Sequence, residues 1–290
     1  MFGIIIHSSG GNYRVKTKEG IFRCKPIGLF RNQKIELVVG DRVEIKVDQN
    51  IGQQNLNIIS KLYERKNQFI RPKISNIDFA IIVTSVVEPR FNHFYLNKII
   101  TFFQIKKVKP ILIFTKVDLN KKAENLDLIK KYQDLDYDIF IFKNSFDQKV
   151  KDDFLNLIKN KFSIVTGQSG VGKSTILNFI DNNLKLDTAQ ISFSLNRGKH
   201  TTRDYTAIEI IKDTFIVDSP GFSSLKIDFE TDQIAKNFLN FSNLYSKCQF
   251  KNCLHINEKN CFVKKSTDLI FYNDYLKLIN ELKKITNFKI

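Results

Sequence analysis

Hydrophobic and polar residues alternate in short segments along the first 65 residues of the chain. In the clearest segment, Arg42–Val47, the apolar residues Val43, Ile45 and Val47 share one face of a strand. Turn-forming residues such as Gly10 and Gly11 separate the segments. We predict strands over Gly3–His7, Asn12–Thr17, Gly20–Lys25, Arg42–Val47 and Asn57–Tyr63. This pattern is typical of a small antiparallel barrel of the oligonucleotide-binding (OB) type, although a β-domain without a nucleic-acid role has the same pattern.

The pattern changes beyond about Arg71. Continuous apolar runs are followed there by segments of helical periodicity, and this order repeats along the chain. Such runs indicate strands covered on both faces, and their alternation with helices indicates an α/β domain with a largely parallel sheet. The predicted strands are Asp78–Thr84, Pro110–Phe114, Asp138–Phe142, Phe162–Thr166, Ala207–Ile211 and Thr214–Val217, and the predicted helices are Asn92–Gln104, Asn125–Gln133 and Ser174–Ile180. After Ser224 only helices are predicted, over Asp232–Phe241 and Thr267–Lys284.

Three domains follow from these patterns: an OB-type barrel at residues 1–66, an α/β domain at 67–226 and a mainly helical domain at 227–290.

No apolar run approaches the roughly 20 residues that span a bilayer, and no secretory signal is evident, so we expect a cytoplasmic protein with no membrane partner. The net charge of +16 (46 Lys and Arg, 30 Asp and Glu) indicates either a polyanionic partner or a solvated lysine surface.

A phosphate-binding loop motif, G-x-x-x-x-G-K-[ST], follows the predicted strand Phe162–Thr166 and precedes a predicted helix. Glycines allow a tight turn whose backbone N–H groups face phosphate oxygens at the start of the helix. Lys173 would reach the β- and γ-phosphates, and the Ser174 hydroxyl would bind Mg²⁺. The residues expected to bind nucleotide here are Gly167, Gln168, Ser169, Gly170, Val171, Gly172, Lys173, Ser174 and Thr175.

Two further segments have the properties of nucleotide switches. Asp218 ends an apolar strand in a D-x-x-G motif, so its carboxylate would hold a magnesium-bound water while the Gly221 amide contacts the γ-phosphate. Upstream, the basic segment Arg197–Arg203 contains Thr201 and Thr202, either of which would bind Mg²⁺. An ordinary basic surface loop is the alternative for this segment.

A base-recognition element, Thr115-Lys116-Val117-Asp118, follows the strand Pro110–Phe114 and resembles the N-K-x-D element of GTPases. The Asp118 carboxylate would accept two hydrogen bonds from guanine, which adenine cannot offer, and the stem of Lys116 would pack on the base. Thr115 stands where Asn is usual. A helix cap after a buried strand is the alternative for these four residues. Asn144 and Ser145 are candidates for a last guanine-side loop.

A cluster of potential metal ligands lies in the C-terminal domain. Cys248, Cys253, His255 and Cys261 fall within 14 residues, and three thiolates with one imidazole form a closed shell suited to structural zinc. Reduced cysteines beside a surface histidine are the alternative, and Cys24 is expected to be a packing residue. Nearby lysines are candidates for contacts with an RNA backbone: Lys247, Lys251, Lys259, Lys264 and Lys265.

The order of the motifs is circularly permuted, because the base-recognition element precedes the phosphate loop, which precedes D-x-x-G. With the barrel before it and the Cys/His domain after it, the chain resembles the ribosome small-subunit-dependent GTPases of the RsgA or YjeQ type. Gly198–Thr202 resembles that family's G-x-H-T-T switch. The resemblance implies that GTP is hydrolysed to GDP with stimulation by the 30S subunit, in late 30S maturation, with 16S rRNA as partner. We expect a monomer.

The sequence lacks the usual group that orients the attacking water, because Phe222 follows D-x-x-G where many GTPases have Gln. His200 is the candidate replacement, since a neutral imidazole can position water, but it would equally serve as an RNA contact. Two other functions fit parts of the sequence. An RNA-binding scaffold with a slow nucleotide switch is disfavoured by intact Lys173, Ser174 and Asp218, and a P-loop ATPase or kinase by Asp118.

Overall fold

The structure, a computed structural model, describes residues 1–47, 57–120, 122–143, 147–180, 205–218 and 229–287, and for residues 283–287 the backbone alone. The chain forms two compact units. The first contains Met1–Ala80, Asp147–Thr166 and Gly172–Pro220, and the second contains Ile81–Phe146, Gly167–Val171 and Gly221–Ile290. No helix of the described residues is long and apolar enough to cross a membrane.

The elements follow in chain order. They are β1 Phe2–Ser9, β2 Asn12–Thr17, β3 Gly20–Pro26, α1 Gly28–Asn32, β4 Arg42–Lys46, β5 Asn57–Leu62, β6 Gln68–Phe69, β7 Ile74–Ser75, β8 Phe79–Ser85, α2 His93–Ile105, β9 Lys109–Thr115, α3 Ala123–Gln133, β10 Asp138–Phe142, α4 Gln148–Ile158, β11 Phe162–Thr166, α5 Lys173–Ile180, β12 Tyr205–Ile211, β13 Thr214–Asp218, α6 Thr231–Asn237, α7 Phe241–Tyr245, α8 Phe262–Ser266 and α9 Leu269–Asn287. A short 3-10 turn, Val117–Leu119, lies between β9 and α3.

The first unit is built on a five-stranded barrel with the strand order β1-β2-β3-β5-β4, closed by pairing of β1 with β4. Val43 and Ile45 point into its core and are 0% and 1% exposed, whereas Val47 lies beyond the end of β4 and is 39% exposed. The prediction of a shared inner face therefore holds for two of the three residues. The barrel confirms the predicted OB-type fold, except that β3 and β5 pair in parallel and not in the antiparallel sense that the sequence predicts.

The barrel sheet continues beyond β1 within the first unit. β12 pairs antiparallel with β1, with His7 opposite Thr206, and β13 lies between β12 and β11. β11 and β13 are parallel, with Ile164 opposite Val217, and their buried apolar side chains account for the uninterrupted hydrophobic runs in the sequence. Four elements of this unit are absent from the sequence prediction: the short helix α1, helix α4 and the two-residue strands β6 and β7.

The second unit contains the neighbouring strands β10-β9-β8, of which β10 and β9 are parallel, and the helices α2, α3 and α6–α9. Its aromatic core includes Tyr132 of α3, whose ring centroid lies 5.0 Å from that of Phe271 in α9 and 6.2 Å from that of Phe114 in β9. A buried polar network joins the same elements, because Asp274 accepts hydrogen bonds from His93 (2.6 Å) and Asn97 (2.7 Å).

One helix prediction is wrong. The predicted helix Asp232–Phe241 is two helices, α6 and α7, because Phe238 is extended and Leu239 has a left-handed backbone with φ of 47°. Phe238, Leu239 and Phe241 are all fully buried, so their packing determines the backbone path at the break despite helical periodicity.

Candidate nucleotide site and metal centre

The phosphate loop begins where the buried strand β11 ends. Gly167 has φ of +147°, and a Cβ atom at this position would lie 2.1 Å from the Val83 carbonyl oxygen. Gly170 and Gly172 also have positive φ, at +78° and +96°. Only glycine combines this backbone with so close an approach to another chain segment. The three glycines of the motif therefore form the tight strand-to-helix turn that the sequence predicts.

Helix α5 presents the polar residues of the motif at its first turn. Lys173 is half-buried and Ser174 is 7% exposed, whereas Thr175 is exposed. Burial lowers the pKa of Lys173 below its ordinary value, and the carboxylate of Asp218, at the end of β13, partly offsets this effect. A bound phosphate would supply further negative charge and stabilise the ammonium form. Lys173 and Asp218 thus interact within the first unit.

The base-recognition element contacts the phosphate loop within the second unit. The Thr115 hydroxyl donates a hydrogen bond to the Val171 carbonyl at 2.7 Å, and Lys116 Nζ donates to the carbonyls of Gly170 (3.0 Å) and Glu88 (2.5 Å). Lys116 itself has a left-handed backbone with φ of 57°. The ammonium group of Lys116 therefore ties the element to the phosphate loop, a contact that sequence reasoning missed.

The remaining residues of the element differ in exposure. Thr115 is 6% exposed, so its hydrogen bond to the phosphate loop is buried. Asp118, in contrast, is exposed on the 3-10 turn next to the half-buried Val117. A carboxylate exposed in this way can accept hydrogen bonds from a ligand. Other predicted residues lie outside the described part of the chain: His200, Thr201, Thr202, Gly221, Phe222, Asn144 and Ser145.

The four predicted metal ligands lie together in the C-terminal domain. The ligand atoms of Cys248, Cys253, His255 and Cys261 are all within 4.8 Å of one another. His255 Nδ1 lies 3.2 Å from Cys261 Sγ and 3.7 Å from Cys248 Sγ, and the two sulfur atoms are 3.9 Å apart. Ligand atoms around a tetrahedral zinc ion are roughly 3.3–3.8 Å apart. The cluster therefore could hold one metal ion in a closed tetrahedral shell.

Neighbouring groups orient the ligands. His255 Nε2 lies 3.1 Å from the Ala235 carbonyl, so its N–H donates there and leaves Nδ1 to face the sulfur atoms. The Tyr272 hydroxyl donates to the His255 carbonyl at 2.7 Å, and the Tyr275 hydroxyl donates to the Leu254 carbonyl. Helix α9 thereby holds the ligand loop in place.

Glu258 stabilises the loop from within, a role that the sequence analysis missed. Its carboxylate accepts hydrogen bonds from the backbone N–H groups of Leu254 (2.6 Å), Ile256 (2.8 Å) and Asn257 (3.1 Å). Partial burial acts to raise the pKa of Glu258, but these hydrogen bonds outweigh burial and the pKa is lowered. The only sequence signal was an acidic residue between two ligands.

The protonation chemistry of the cluster fits a metal site. Burial raises the pKa of the Cys253 thiol to about 12, so without a cation the thiol form is favoured. Burial also lowers the pKa of His255, which keeps the imidazole neutral and able to bind metal. A divalent cation stabilises the thiolates that the protein alone disfavours. Cys24, in contrast, is fully buried in the barrel, and its pKa is raised to about 11, as expected of an inert packing residue.

Known proteins match this chain over almost its entire length. Two family models match: the RsgA N-terminal domain over residues 2–52 and the RsgA GTPase over residues 62–228. A protein of Malacoplasma penetrans named small ribosomal subunit biogenesis GTPase RsgA is 43% identical over 255 residues, which are 86% of this chain and 87% of that protein. A protein of the same name from Caldanaerobacter subterraneus is 33% identical over 287 residues, with 97% and 96% coverage.

Solved structures agree with the sequence relatives. The crystal structure of YloQ, described as a circularly permuted GTPase, matches with a TM-score of 0.79 and 29% identity, covering 98% of this chain and 95% of that one. YjeQ from Thermotoga maritima matches with a TM-score of 0.80 and 28% identity, covering 97% and 98%. Together with the barrel, the phosphate loop and the Cys/His cluster, these matches confirm the predicted fold class and resemblance: the chain belongs to the RsgA family of circularly permuted GTPases.

Proposed function

We propose that this GTPase binds the small (30S) ribosomal subunit, assists its late maturation, and hydrolyses GTP to GDP and phosphate with stimulation by the subunit. The observation that supports this most strongly is the likeness over nearly the full length to proteins named for small-subunit biogenesis. Within the chain, the hydrogen bonds from Thr115 and Lys116 to the phosphate loop support one site that takes both the base and the phosphates of a guanine nucleotide.

In this proposal the nucleotide is held at both ends. Asp118 accepts hydrogen bonds from the guanine base. The loop Gly167–Gly172 offers backbone N–H groups to the phosphates, and Lys173 compensates their negative charge. The bound Mg²⁺ would be held by Ser174, Asp218 and either Thr201 or Thr202, and it supplies charge neutralisation on the transferred phosphoryl group. Gly221 would contact the γ-phosphate.

His200 is the proposed group that positions the attacking water, because Phe222 has no hydrogen-bonding group. We expect slow hydrolysis by the protein alone and faster hydrolysis with 30S subunits. His200→Ala should lose most of the stimulated rate while GDP affinity stays within about twofold, since the imidazole acts on water and not on the base. Full stimulated hydrolysis by His200→Ala would exclude this assignment.

The C-terminal cluster is proposed to hold one structural Zn²⁺, since a closed shell of three thiolates and one imidazole leaves no open position for catalysis. Five exposed lysines near the cluster are suited to a polyanion: Lys247, Lys251, Lys259, Lys264 and Lys265. We propose 16S rRNA as that polyanion, with the protein acting as a cytoplasmic monomer.

The decisive experiment measures GTP hydrolysis and co-sedimentation with isolated 30S subunits in parallel. We expect co-sedimentation at low salt and a rate that rises with 30S concentration, both absent with 50S subunits. Lys173→Ala should abolish hydrolysis, since it removes the charge that faces the phosphates. Binding to 30S without any hydrolysis would instead support an RNA-binding scaffold, and efficient displacement of GDP by ATP would contradict the role of Asp118.

A further inference from the structure

A buried polar network joins helices α2, α3 and α9 of the second unit. The side chain of Asp274 is 8% exposed, and its Oδ2 atom accepts hydrogen bonds from His93 Nδ1 at 2.6 Å and from Asn97 Nδ2 at 2.7 Å. The Tyr132 hydroxyl donates to Asn97 Oδ1 at 2.6 Å. Burial, followed by the negative charge of Asp274, raises the pKa of Tyr132 well above its ordinary value, so the phenol remains a donor. The four side chains therefore form one connected network.

A carboxylate at the position of Asp274 has a cost that an apolar side chain would not have. Nearby, α9 packs on α3 through aromatic rings, with the centroids of Phe271 and Tyr132 5.0 Å apart. Removing a carboxylate from water is unfavourable, and apolar residues of similar volume often pack in such places with no loss of stability. A buried polar contact can, however, fix one register between packed helices. The network therefore indicates that α2 needs one defined position against α9.

Helix α9 is itself held by the loop that carries the potential metal ligands. The hydroxyl groups of Tyr272 and Tyr275, three residues apart on one side of the helix, donate to the carbonyls of His255 and Leu254. Asp274 lies between these two tyrosines in sequence and turns toward α2. The C-terminal domain thus determines where the Asp274 carboxylate lies.

The other end of the network leads to the base-recognition element. His93 is the first residue of α2, and the loop of residues 86–92 connects this helix to β8. The Glu88 carbonyl of this β8–α2 loop accepts a hydrogen bond from Lys116 Nζ at 2.5 Å. The same ammonium group donates to the Gly170 carbonyl of the phosphate loop at 3.0 Å. The β8–α2 loop is therefore one of the two supports of Lys116.

The β8–α2 loop has little freedom to move independently of α2. The Ser85 hydroxyl accepts a hydrogen bond from the Glu88 N–H at 2.9 Å, and the ring of Phe91 packs edge-on against Phe114 of β9, with centroids 5.8 Å apart. Only four residues lie between Glu88 and His93. A shift of the first turn of α2 therefore displaces the carbonyl that holds the lysine.

We propose that Asp274 is a positioning residue for guanine binding. Through His93 and Asn97 it fixes the first turn of α2 and hence the β8–α2 loop. The loop holds Lys116, which precedes Asp118 by two residues, so the same contacts place the carboxylate that would face the base. The C-terminal domain thereby contributes to the affinity for guanine nucleotides through α9. This inference rests on the proposed role of Asp118 in accepting hydrogen bonds from guanine.

The test compares the binding of GDP and of inosine diphosphate (IDP), which lacks the 2-amino group of guanine, to the full-length protein. His93→Ala should weaken GDP binding by about threefold to tenfold, because the base-recognition element is no longer held in one position. IDP binding should fall by less than about twofold, since IDP has already lost one of the two hydrogen bonds to Asp118. Because hydrolysis by the protein alone is expected to be slow, KM for GTP should rise with the GDP dissociation constant while kcat stays unchanged.

Glu281→Ala is the matched control. Glu281 of α9 pairs with Lys98 of α2 at 2.8 Å, and its side chain is 41% exposed, against 38% for His93. Both alanine variants remove one contact between the same two helices, so their melting temperatures should be similar. Glu281→Ala should nevertheless bind GDP and IDP like wild type, because its contact lies away from the first turn of α2.

Two variants of Asp274 separate a positioning role from a general effect of substitution. Asp274→Asn keeps an oxygen that can accept from both His93 and Asn97, so its GDP affinity should stay within about twofold of wild type. Asp274→Leu removes both acceptors and should weaken GDP binding at least as much as His93→Ala. If Asp274→Leu does not fold, His93→Ala and Asp274→Asn decide the question.

Three results would each overturn the proposal: unchanged GDP binding by His93→Ala, equal losses of GDP and IDP affinity, or an equal loss in Glu281→Ala. The wild-type protein tests the proposed role of Asp118 separately. If wild type does not prefer GDP to IDP, that role fails. If wild type has the preference and His93→Ala retains it in full, only the positioning role of the network is wrong.

Discussion

At the scale of single residues, Thr115 stands where the N-K-x-D element of GTPases has Asn. A threonine side chain is shorter than that of asparagine, so its hydroxyl reaches less far toward a purine ring. In the structure the hydroxyl donates to the Val171 carbonyl of the phosphate loop at 2.7 Å. Because both residues are buried, this hydrogen bond is shielded from water and fixes the loop next to the base-recognition element.

Thr115→Val should therefore weaken GDP binding by about fivefold to tenfold, because the Val171 carbonyl loses a donor at a cost of about 1 kcal/mol. Thr115→Ser keeps the hydroxyl and should bind GDP within about twofold of wild type. The measurement is a titration with fluorescent GDP. Equal affinities for the Val and Ser variants would show that the hydrogen bond does not contribute to nucleotide binding.

At the scale of elements, β12 connects the barrel to strands β13 and β11 of the first unit. Lys16 of β2 forms an ion pair with Glu209 of β12 at 2.7 Å, and the backbone N–H of Asp213 donates to the same carboxylate at 2.9 Å. Burial acts to raise the pKa of Glu209, but the hydrogen bonds and the charges of Lys16 and Lys212 outweigh burial and lower it. The ionised carboxylate therefore stabilises the folded state.

This contact predicts a pH dependence. Because the folded pKa is below the unfolded one of about 4.3, the stabilisation is present above that value and is lost as the pH falls through the folded pKa. Glu209→Gln should lower the free energy of unfolding at pH 7 by about 0.5–1 kcal/mol, and the difference should vanish in acid. Denaturant unfolding between pH 3 and pH 7 measures it, with Lys16→Met as the paired variant. A difference that stays constant with pH would contradict the prediction.

The metal cluster joins the loop Cys248–Cys261 to helices α6 and α9 through His255, Tyr272 and Tyr275. Removal of one ligand should release the metal. The loop then loses the metal–ligand bonds that hold it, and with it its buried polar groups, in place. Cys261→Ser should reduce the zinc content from one equivalent to well below one and lower the melting temperature by several degrees. Cys24→Ala, the matched control outside the cluster, should keep one equivalent. Elemental analysis and thermal unfolding check both outcomes, and full zinc content in Cys261→Ser would exclude this ligand set.

At the scale of the whole molecule, the net charge of +16 predicts that binding to 30S subunits depends steeply on salt. If six to ten phosphate contacts form, affinity should fall by about a thousandfold or more between 50 and 200 mM salt. Co-sedimentation across this range measures the effect. GDP affinity is the control, and it should change much less because few charges contact one nucleotide. A salt-independent affinity for 30S would exclude rRNA as the main partner surface.

Much of the fold could be predicted because its elements are long enough to show a pattern. The strands Asn12–Thr17, Asp138–Phe142 and Phe162–Thr166 have the predicted bounds. Helix α4 was missed although Asp147 caps it and Phe154 and Ile158 recur at helical spacing. The β6–β7 hairpin could not have been found, because strands of two residues are too short for any period to appear.

The sequence by itself determined the features that depend on local spacing: the phosphate loop, the order of the motifs and the four potential metal ligands within 14 residues. These motifs can be recognised in the sequence because their residues lie close together along the chain. Tertiary structure alone decided which distant groups meet. The Lys116 ammonium contacts the Gly170 carbonyl across 54 positions, and Ile70 and Arg71 line a cleft with Gly10 and Tyr205. Such contacts depend on the packing of strands and helices, so no local pattern in the sequence predicts them.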